Sequence, residues 1–347
     1  MASTPFPILF IGPGRIGDAV LASGLIHKLA REVPGARFTI AVGPAAAPLF
    51  ADLPGLDRII VMEKQKGSGH WFKLWNQVRK TPWGLVIDMR GSAISTFLSR
   101  KRRAVHKKSQ GEPTHKVIEA ARLLQIEGEP PAPHLYVSPD RQAAADALLE
   151  GGKGPILAMG PAANWFGKTW PIDRFASTAK RLIAEDGPLA GGRLVILGGP
   201  EDVRYVDELR RSLPRDQCLD LTGQIDLLTA YALLKRARLF VGNDSGLMHL
   251  AAAAGCPTVG LFGPSDDRLY APWGAHTRVV RGPRTFEQFK EVDPGLNQTI
   301  GHMLDLPTEA VILAASELLA ATSSLDPSPA SREKVSAKPT DEGSTGF

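Results

Sequence analysis

The sequence predicts an α/β protein built on two parallel sheets. Short apolar runs alternate with helix-like patterns along the chain, as expected for strands joined by helical crossovers. At 347 residues the chain is longer than one hydrophobic core usually allows. A glycine- and proline-rich break at 150–155 separates two series of these runs. We therefore expect domains over 1–150 and 155–322, followed over 323–347 by a tail without apolar periodicity that is predicted to be disordered.

Each half of the chain contains five predicted strands, so the same architecture is expected twice. The strands are predicted at 8–11, 38–42, 58–61, 85–88 and 103–105 in the first half, and at 156–159, 194–197, 219–221, 239–241 and 258–261 in the second. The clearest helix, at 18–32, has apolar residues recurring on one side.

The composition is typical of a soluble globular protein, with 43% hydrophobic and 22% charged residues. A net charge of +5 favours anionic partners but is too small to distinguish phosphates, nucleic acid and membrane surfaces. Two cysteines cannot form a disulfide framework. The N-terminus lacks a secretory pattern, and no apolar segment has the length of a bilayer span. A cytoplasmic location is therefore expected.

The most informative segment is 242–255, which follows a strand-like run and opens an alanine-rich helix. Asp244, Ser245 and Gly246 fall where the helix begins, and free amides at such a terminus attract phosphate. His249 lies one turn later and can face the same ligand. The alternative is an ordinary strand, cap and helix, with Asp244 as a plain helix cap.

The N-terminal loop, 12–17, reads Gly-Pro-Gly-Arg-Ile-Gly and fits the dinucleotide-binding pattern G-x-G-x-x-G. That pattern requires an acid at the end of the second strand, where this chain has Gly43-Pro44-Ala45 instead. A nicotinamide cofactor is therefore disfavoured. The turn places Asp18 in the first turn of a helix, where it is either a functional carboxylate or only a charge matched to the helix dipole.

Two further blocks accompany these turns, at 160–171 (Gly-Pro-Ala-Ala-Asn-Trp-Phe-Gly-Lys-Thr-Trp-Pro) and at 194–202 with 221–223. With four blocks in this order over 7–322, the chain resembles glycosyltransferase family 9, which includes the bacterial lipopolysaccharide heptosyltransferases. The resemblance implies two Rossmann-like domains facing across a cleft, the arrangement called GT-B. The N-terminal domain would bind the acceptor and the C-terminal domain the nucleotide-sugar donor.

The resemblance also implies a reaction and its partners. An inverting transfer is expected, usually of heptose from ADP-heptose to a hydroxyl of a lipopolysaccharide core acceptor. The donor is a co-substrate, the acceptor is a lipid-linked anionic glycan, and no cofactor, metal or nucleic acid is implied. An enzyme of this kind would work in the cytoplasm, in peripheral contact with the inner membrane surface.

Residue roles follow from the matching positions. Asp18 corresponds to the family's proposed general base. The donor-binding residues implied are Lys168, Ser245 and Gly246 at the diphosphate, Asp244 at donor hydroxyls, His249 in support, and Thr222 and Gly223 in the nucleotide pocket. Turn formation alone is the alternative for Thr222 and Gly223, and a solvated charge is the alternative for Lys168.

A basic run in the N-terminal half suits a phosphorylated acceptor, because lysines and arginines near an anionic surface each contribute about 1 kcal/mol of attraction. It contains the candidate acceptor residues Arg100, Arg102 and Arg103, together with Lys101, Lys107 and Lys108. Trp71, Phe72 and Trp75 form an aromatic cluster that is suited to a membrane interface. A solvated surface and a helix packed into its own domain are the respective alternatives.

Two other function classes share this architecture. A nucleotide-sugar epimerase needs further acid and base residues in the C-terminal half, for which Glu201 and Asp202 are candidates. A non-catalytic nucleotide-binding module would keep the 242–255 turn without requiring Asp18.

Overall fold

The structure, a computed structural model, contains two β-sheets and describes residues 4–106, 112–296 and 300–323. The strands of the first sheet are β1 (Phe6–Ile11), β2 (Ala36–Val42), β3 (Leu56–Val61), β4 (Trp83–Asp88) and β5 (Arg100–Val105), in the order β3-β2-β1-β4-β5. Those of the second are β6 (Ile156–Gly160), β7 (Arg193–Ile196), β8 (Cys218–Asp220), β9 (Leu239–Asn243), β10 (Thr258–Phe262) and β11 (Thr277–Arg281), in the order β11-β10-β9-β6-β7-β8. All neighbouring strands are parallel, which confirms the predicted fold class.

Helices cover the sheets. They are α1 (Ile16–Glu32), α2 (Gly69–Val78), α3 (Lys116–Arg122), α4 (Pro139–Leu149), α5 (Ile172–Ile183), α6 (Asp207–Arg211), α7 (Leu227–Leu234), α8 (Gly246–Ala253), α9 (Asp267–Tyr270), α10 (Phe286–Val292) and α11 (Thr308–Ser323). One apolar cluster joins α1, α7 and α8 between the sheets. The outer faces are covered by α2 on the first sheet and by α5 and α11 on the second. Within the described ranges, no helix has the length and apolar character needed to span a bilayer.

All ten predicted strands overlap observed ones, but the prediction omits β11. Its sequence, Thr-Arg-Val-Val-Arg, has only two apolar residues, because an edge strand buries little of its length. The predicted boundary at 150–155 falls between α4 and β6, although α4 itself packs against α7 of the second half. The predicted disordered tail, beyond the end of α11 at Ser323, lies outside the described residues.

The segment 134–141, which comes before the break at 150–155, is held by hydrogen bonds to helices of both halves. The Ser23 hydroxyl of α1 accepts from the His134 amide at 2.9 Å, and the Tyr231 hydroxyl of α7 accepts from the Leu135 amide at 3.4 Å. Farther along, Arg141 forms ion pairs with Asp52 at 2.6 Å and with Asp226 at 3.2 Å. The segment 134–141 therefore contacts elements of both halves of the chain.

Gly24 of α1 provides a test of this packing. A methyl group on Gly24 would lie 2.3 Å from the Pro131 carbonyl oxygen and 2.6 Å from that of Ala132, and neither backbone atom can move away freely. We expect Gly24→Ala to lower the free energy of unfolding by about 1–3 kcal/mol in a denaturant titration. Gly128→Ala is the matched control, since a methyl group there meets nothing within 4 Å. Equal stability of the two variants would contradict this account.

Candidate active site

The cleft between the two sheets is formed where the first turns of α1 and α8 meet. Both helices begin at the carboxyl edge of their sheet, the edge at which open α/β folds bind ligands. The cleft has a volume of about 1010 Å³. From the first half it is lined by Gly14–Asp18 and Ala45, and from the second by residues that include Lys168, Asp244–Gly246, His249 and Tyr270.

Glycines let the two helix ends approach closely. A methyl group on Gly17 would lie 2.8 Å from His249 Cδ2, and one on Gly246 would lie 2.6 Å from Ile16 Cγ2. Any larger side chain at either glycine would therefore push α1 away from α8. The absence of a side chain at both positions sets the width of the cleft.

Neither helix start is capped by a side chain. Arg15 and Ser245 occupy the N-cap positions of α1 and α8, and neither makes a side-chain cap hydrogen bond. The first amides of a helix have no partner within it, so those of α8 are available to an anion in the cleft. Two further polar atoms, Ser245 Oγ and His249 Nδ1, are buried without a hydrogen-bond partner. This arrangement is suited to phosphate oxygens.

An ion pair lies beside the start of α8. Lys168 Nζ donates to Asp244 Oδ2 at 3.0 Å, with both side chains at most 15% exposed. The loop that carries Lys168 is fixed by Asn243 of β9, which accepts from the Trp170 amide and donates to the Pro161 carbonyl. Since Ser245 is the N-cap and Asp244 pairs with Lys168, Asp244 does not act as the helix cap.

His249 is a neutral group at neutral pH. Burial lowers its pKa to about 4, and the nearby Asp244 carboxylate only partly opposes this effect. Its Nε2 atom lies 3.8 Å from Asp244 Oδ1. A neutral imidazole at this position can offer a hydrogen bond to a ligand without adding charge.

Asp18 faces this anion-binding region from the other wall of the cleft. Burial raises the pKa of its carboxyl group, and the Asp244 carboxylate acts in the same direction. The charges of Arg15, Lys116 and Lys168 act in the opposite direction and only partly offset burial. A partly buried carboxylate with a raised pKa accepts a proton more readily than one in water.

Six of the predicted site residues are brought together in this cleft, namely Asp18, Lys168, Asp244, Ser245, Gly246 and His249. The other predicted residues do not line it. Thr222 and Gly223 follow β8 at the far end of the second sheet, where Thr222 Oγ1 is buried without a partner. Arg100, Arg102 and Arg103 lie on β5, an edge strand of the first sheet, while Lys107 and Lys108 lie outside the described residues.

Several residues that line the cleft were not among the predicted site residues. Three of them lie in the block at 160–171, namely Asn164, Trp165 and Phe166. Their position close to Lys168 in the sequence was a signal that they belong to the same site. Asp266 and Tyr270 follow β10, and an acid four residues after the end of that strand was a second signal. Glu201 and Asp202, the candidates for an epimerase, are not among the lining residues. No cluster of three or more metal-ligating side chains occurs in the ranges described above.

The position of Asp18 predicts how it titrates. Because burial dominates, its carboxyl group should take up a proton at a higher pH than an aspartate in water does. Carboxyl ¹³C NMR, with Asp18→Asn used to assign the signal, measures this midpoint. Arg15→Gln should raise the midpoint further, because it removes a charge that favours the ionised form. A midpoint below that of a free aspartate would contradict the burial argument.

Comparisons with known proteins identify the family of this chain. A sequence model of glycosyltransferase family 9 (heptosyltransferase) matches residues 83–297. The lipooligosaccharide heptosyltransferase 2 of Haemophilus influenzae is 27% identical over 355 residues, covering 90% of this chain and 99% of that protein.

Two solved structures share the fold. The family 9 glycosyl transferase from Veillonella parvula has a TM-score of 0.75 at 21% identity, covering 92% of this chain and 99% of that one. The ADP-heptose lps heptosyltransferase II of E. coli has a TM-score of 0.71 at 23% identity, covering 92% and 100%. The two sheets facing across a cleft thus form the GT-B arrangement. The chain belongs to glycosyltransferase family 9 and is a glycosyltransferase.

Proposed function

We propose that this glycosyltransferase moves heptose from ADP-heptose to a hydroxyl of a lipopolysaccharide core acceptor, with inversion at the transferred carbon. The observation that carries the proposal is that Asp18 on one wall of the cleft faces the Lys168 and α8 anion site on the other. The names of the relatives support the choice of heptose and ADP, since they are heptosyltransferases of lipooligosaccharide or lipopolysaccharide.

The α8 wall holds the leaving group. As the bond between the sugar carbon and the diphosphate breaks, negative charge grows on the departing oxygen. The Lys168 ammonium and the first amides of α8 stabilise that charge, with Ser245 Oγ as a further donor. Asp244 holds Lys168 in place until donor phosphates compete for it. These groups stabilise the leaving diphosphate without requiring a metal ion.

The α1 wall supplies the base. The acceptor hydroxyl attacks the sugar carbon from the side opposite the diphosphate, and its proton passes to the Asp18 carboxylate. One bond forms as the other breaks, so a single displacement inverts the configuration. In this scheme the N-terminal half binds the acceptor and the C-terminal half binds the donor. Thr222 and Gly223 follow the carboxyl end of β8, as the start of α8 follows that of β9, and are assigned to the nucleoside.

A lipid-linked acceptor places the enzyme at the cytoplasmic face of the inner membrane, in peripheral contact with it. An epimerase is disfavoured because its candidate acids, Glu201 and Asp202, lie outside the cleft lining. A non-catalytic nucleotide-binding module is disfavoured because it has no use for a half-buried Asp18 opposite the proposed phosphate site.

Replacing the base tests the mechanism. We expect Asp18→Asn to lower the rate of transfer about 10²- to 10⁴-fold, because general base catalysis is lost while the shape of the site is kept. ADP binding, measured by calorimetry, should stay near the wild-type value. Asp173→Asn, in the first turn of α5 and outside the cleft, is the matched control. Undiminished transfer by Asp18→Asn would show that Asp18 is not the base.

A second test addresses the nucleotide. A nucleotide that binds the folded state raises its melting temperature, so ADP, UDP and GDP are compared by thermal shift. ADP should give the largest shift, whereas a preference for UDP would exclude the ADP-heptose assignment.

The diphosphate contact is tested with Lys168→Met. Loss of a charged hydrogen bond should weaken ADP binding about 10- to 100-fold. Lys168→Met also leaves Asp244 buried without its partner, which lowers stability by a separate route. The double variant Lys168→Met/Asp244→Asn removes that unpaired charge. Calorimetry on both variants should therefore show weak ADP binding, and wild-type affinity in either would contradict the assignment.

A further inference from the structure

One stretch of the first half concentrates positive charge. Residues 64–108 contain twelve Lys and Arg residues and a single carboxylate, Asp88. That carboxylate is fully buried and accepts hydrogen bonds from the Arg90 and Ser92 amides. The whole chain has a net charge of only +5, so this stretch is far more basic than the rest.

The fold gathers much of this stretch on one surface. Helix α2 and the 3-10 turn Ala93–Phe97 pack through Trp71, Trp75 and Ile94 onto the same apolar cluster, on the sheet face away from α1. Arg103 of β5 shares this face, because it pairs in register with Val86 of the cluster and donates to Ser95 Oγ at 3.1 Å. We call the surface formed by α2, this turn and β5 the α2 face.

Aromatic rings protrude from the α2 face among the charges. Phe72 is 70% exposed and Phe97 is 72% exposed, unusually high for phenylalanine. The guanidinium of Arg79 lies 4.9 Å from the centre of the Trp75 ring, and that of Arg90 lies 4.7 Å from the Trp71 ring. Exposed phenylalanines on a surface that also carries basic side chains are characteristic of proteins that rest in the interface of an anionic bilayer.

The α2 face adjoins the cleft. Strands β1 and β4 are neighbours, with Ile11 opposite Asp88 at their carboxyl ends. The loop that carries Arg15 into the cleft and the loop that carries Arg90 onto the α2 face therefore leave the sheet at the same edge. A membrane on the α2 face would lie beside the acceptor side of the cleft.

We propose that the α2 face docks on an anionic phospholipid bilayer, with Phe72 and Phe97 inserted among the headgroups and the basic side chains meeting lipid phosphates. The proposal rests on the proposed function, because a lipid-linked acceptor is presented by a bilayer. It assigns Arg103, which shares the α2 face and lies on β5 outside the cleft lining, to lipid headgroups instead of the acceptor sugar. Arg102 pairs in register with Leu85 and therefore lies on the opposite face of the sheet.

Co-sedimentation of the full chain with vesicles tests the docking. The wild type should bind vesicles of phosphatidylethanolamine and phosphatidylglycerol, bind vesicles of phosphatidylcholine far more weakly, and detach as salt rises. Phe72→Ser/Phe97→Ser should weaken binding to the anionic vesicles about tenfold or more, since two apolar rings leave the interface. Lys73→Glu/Lys101→Glu should weaken it at least as much, because each basic residue contributes about fivefold.

Matched controls change similarly exposed residues away from the α2 face. Leu304→Ser/Leu313→Ser replaces apolar side chains that are 62% and 60% exposed, and Lys153→Glu/Arg204→Glu makes the same charge change. Both controls should bind vesicles like the wild type. Equal loss in the controls and the α2-face variants would overturn the proposal, as would wild-type binding by the α2-face variants.

Two activity assays separate this proposal from the proposed function. With an acceptor freed of its lipid chains, the α2-face variants should transfer sugar at the wild-type rate, which also shows that they fold. With the acceptor embedded in anionic vesicles, the transfer rate of the variants should fall by the same factor as their affinity for the vesicles. Absence of transfer by the wild type to either acceptor would refute the proposed function and leave the vesicle result standing. Tighter binding of the wild type to a single-stranded oligonucleotide than to anionic vesicles would overturn the membrane assignment.

Discussion

The close contact between the first turns of α1 and α8 is the constraint on which the rest of the site depends. Gly17 meets His249 and Gly246 meets Ile16 at distances that leave no room for a methyl group. Two uncapped helix starts from different sheets therefore open into one cleft. Because each contact packs a glycine of one helix against a side chain of the other, small changes at either glycine are expected to move one wall relative to the other.

That contact places opposite electrostatic requirements within one cleft. The α8 wall presents amides, a lysine and a neutral histidine, which suit a leaving diphosphate. The α1 wall presents a carboxylate whose pKa is raised by burial, which suits proton removal. Asn243 holds the Lys168 loop and Asp244 holds the Lys168 ammonium, so these groups are already positioned in the free protein.

Basic residues lie on two separate surfaces of the protein. Lys168 and Arg15 lie in the cleft, whereas the arginines of β5 lie at an outer edge of the first sheet. A substrate that is part lipid and part phosphorylated sugar requires both kinds of surface, one to meet the bilayer and one to perform chemistry. The two surfaces lie close together because β1 pairs with β4. The loop that carries Arg15 and the loop that carries Arg90 therefore leave the sheet at the same edge.

The fold class, ten of the eleven strands in the described ranges and six of the residues that meet in the cleft could be predicted from the sequence alone. These are local features, because an apolar run makes a strand and a glycine turn before a helix exposes amides whatever surrounds it. The packing of distant elements was needed to show that Asp18 faces Lys168 and that Asp244 pairs with that lysine instead of capping α8. It was also needed to show that the three arginines of β5, Arg100, Arg102 and Arg103, lie outside the cleft lining. Each of these depends on which distant elements pack together, and strand order and helix contacts are not encoded in any short segment.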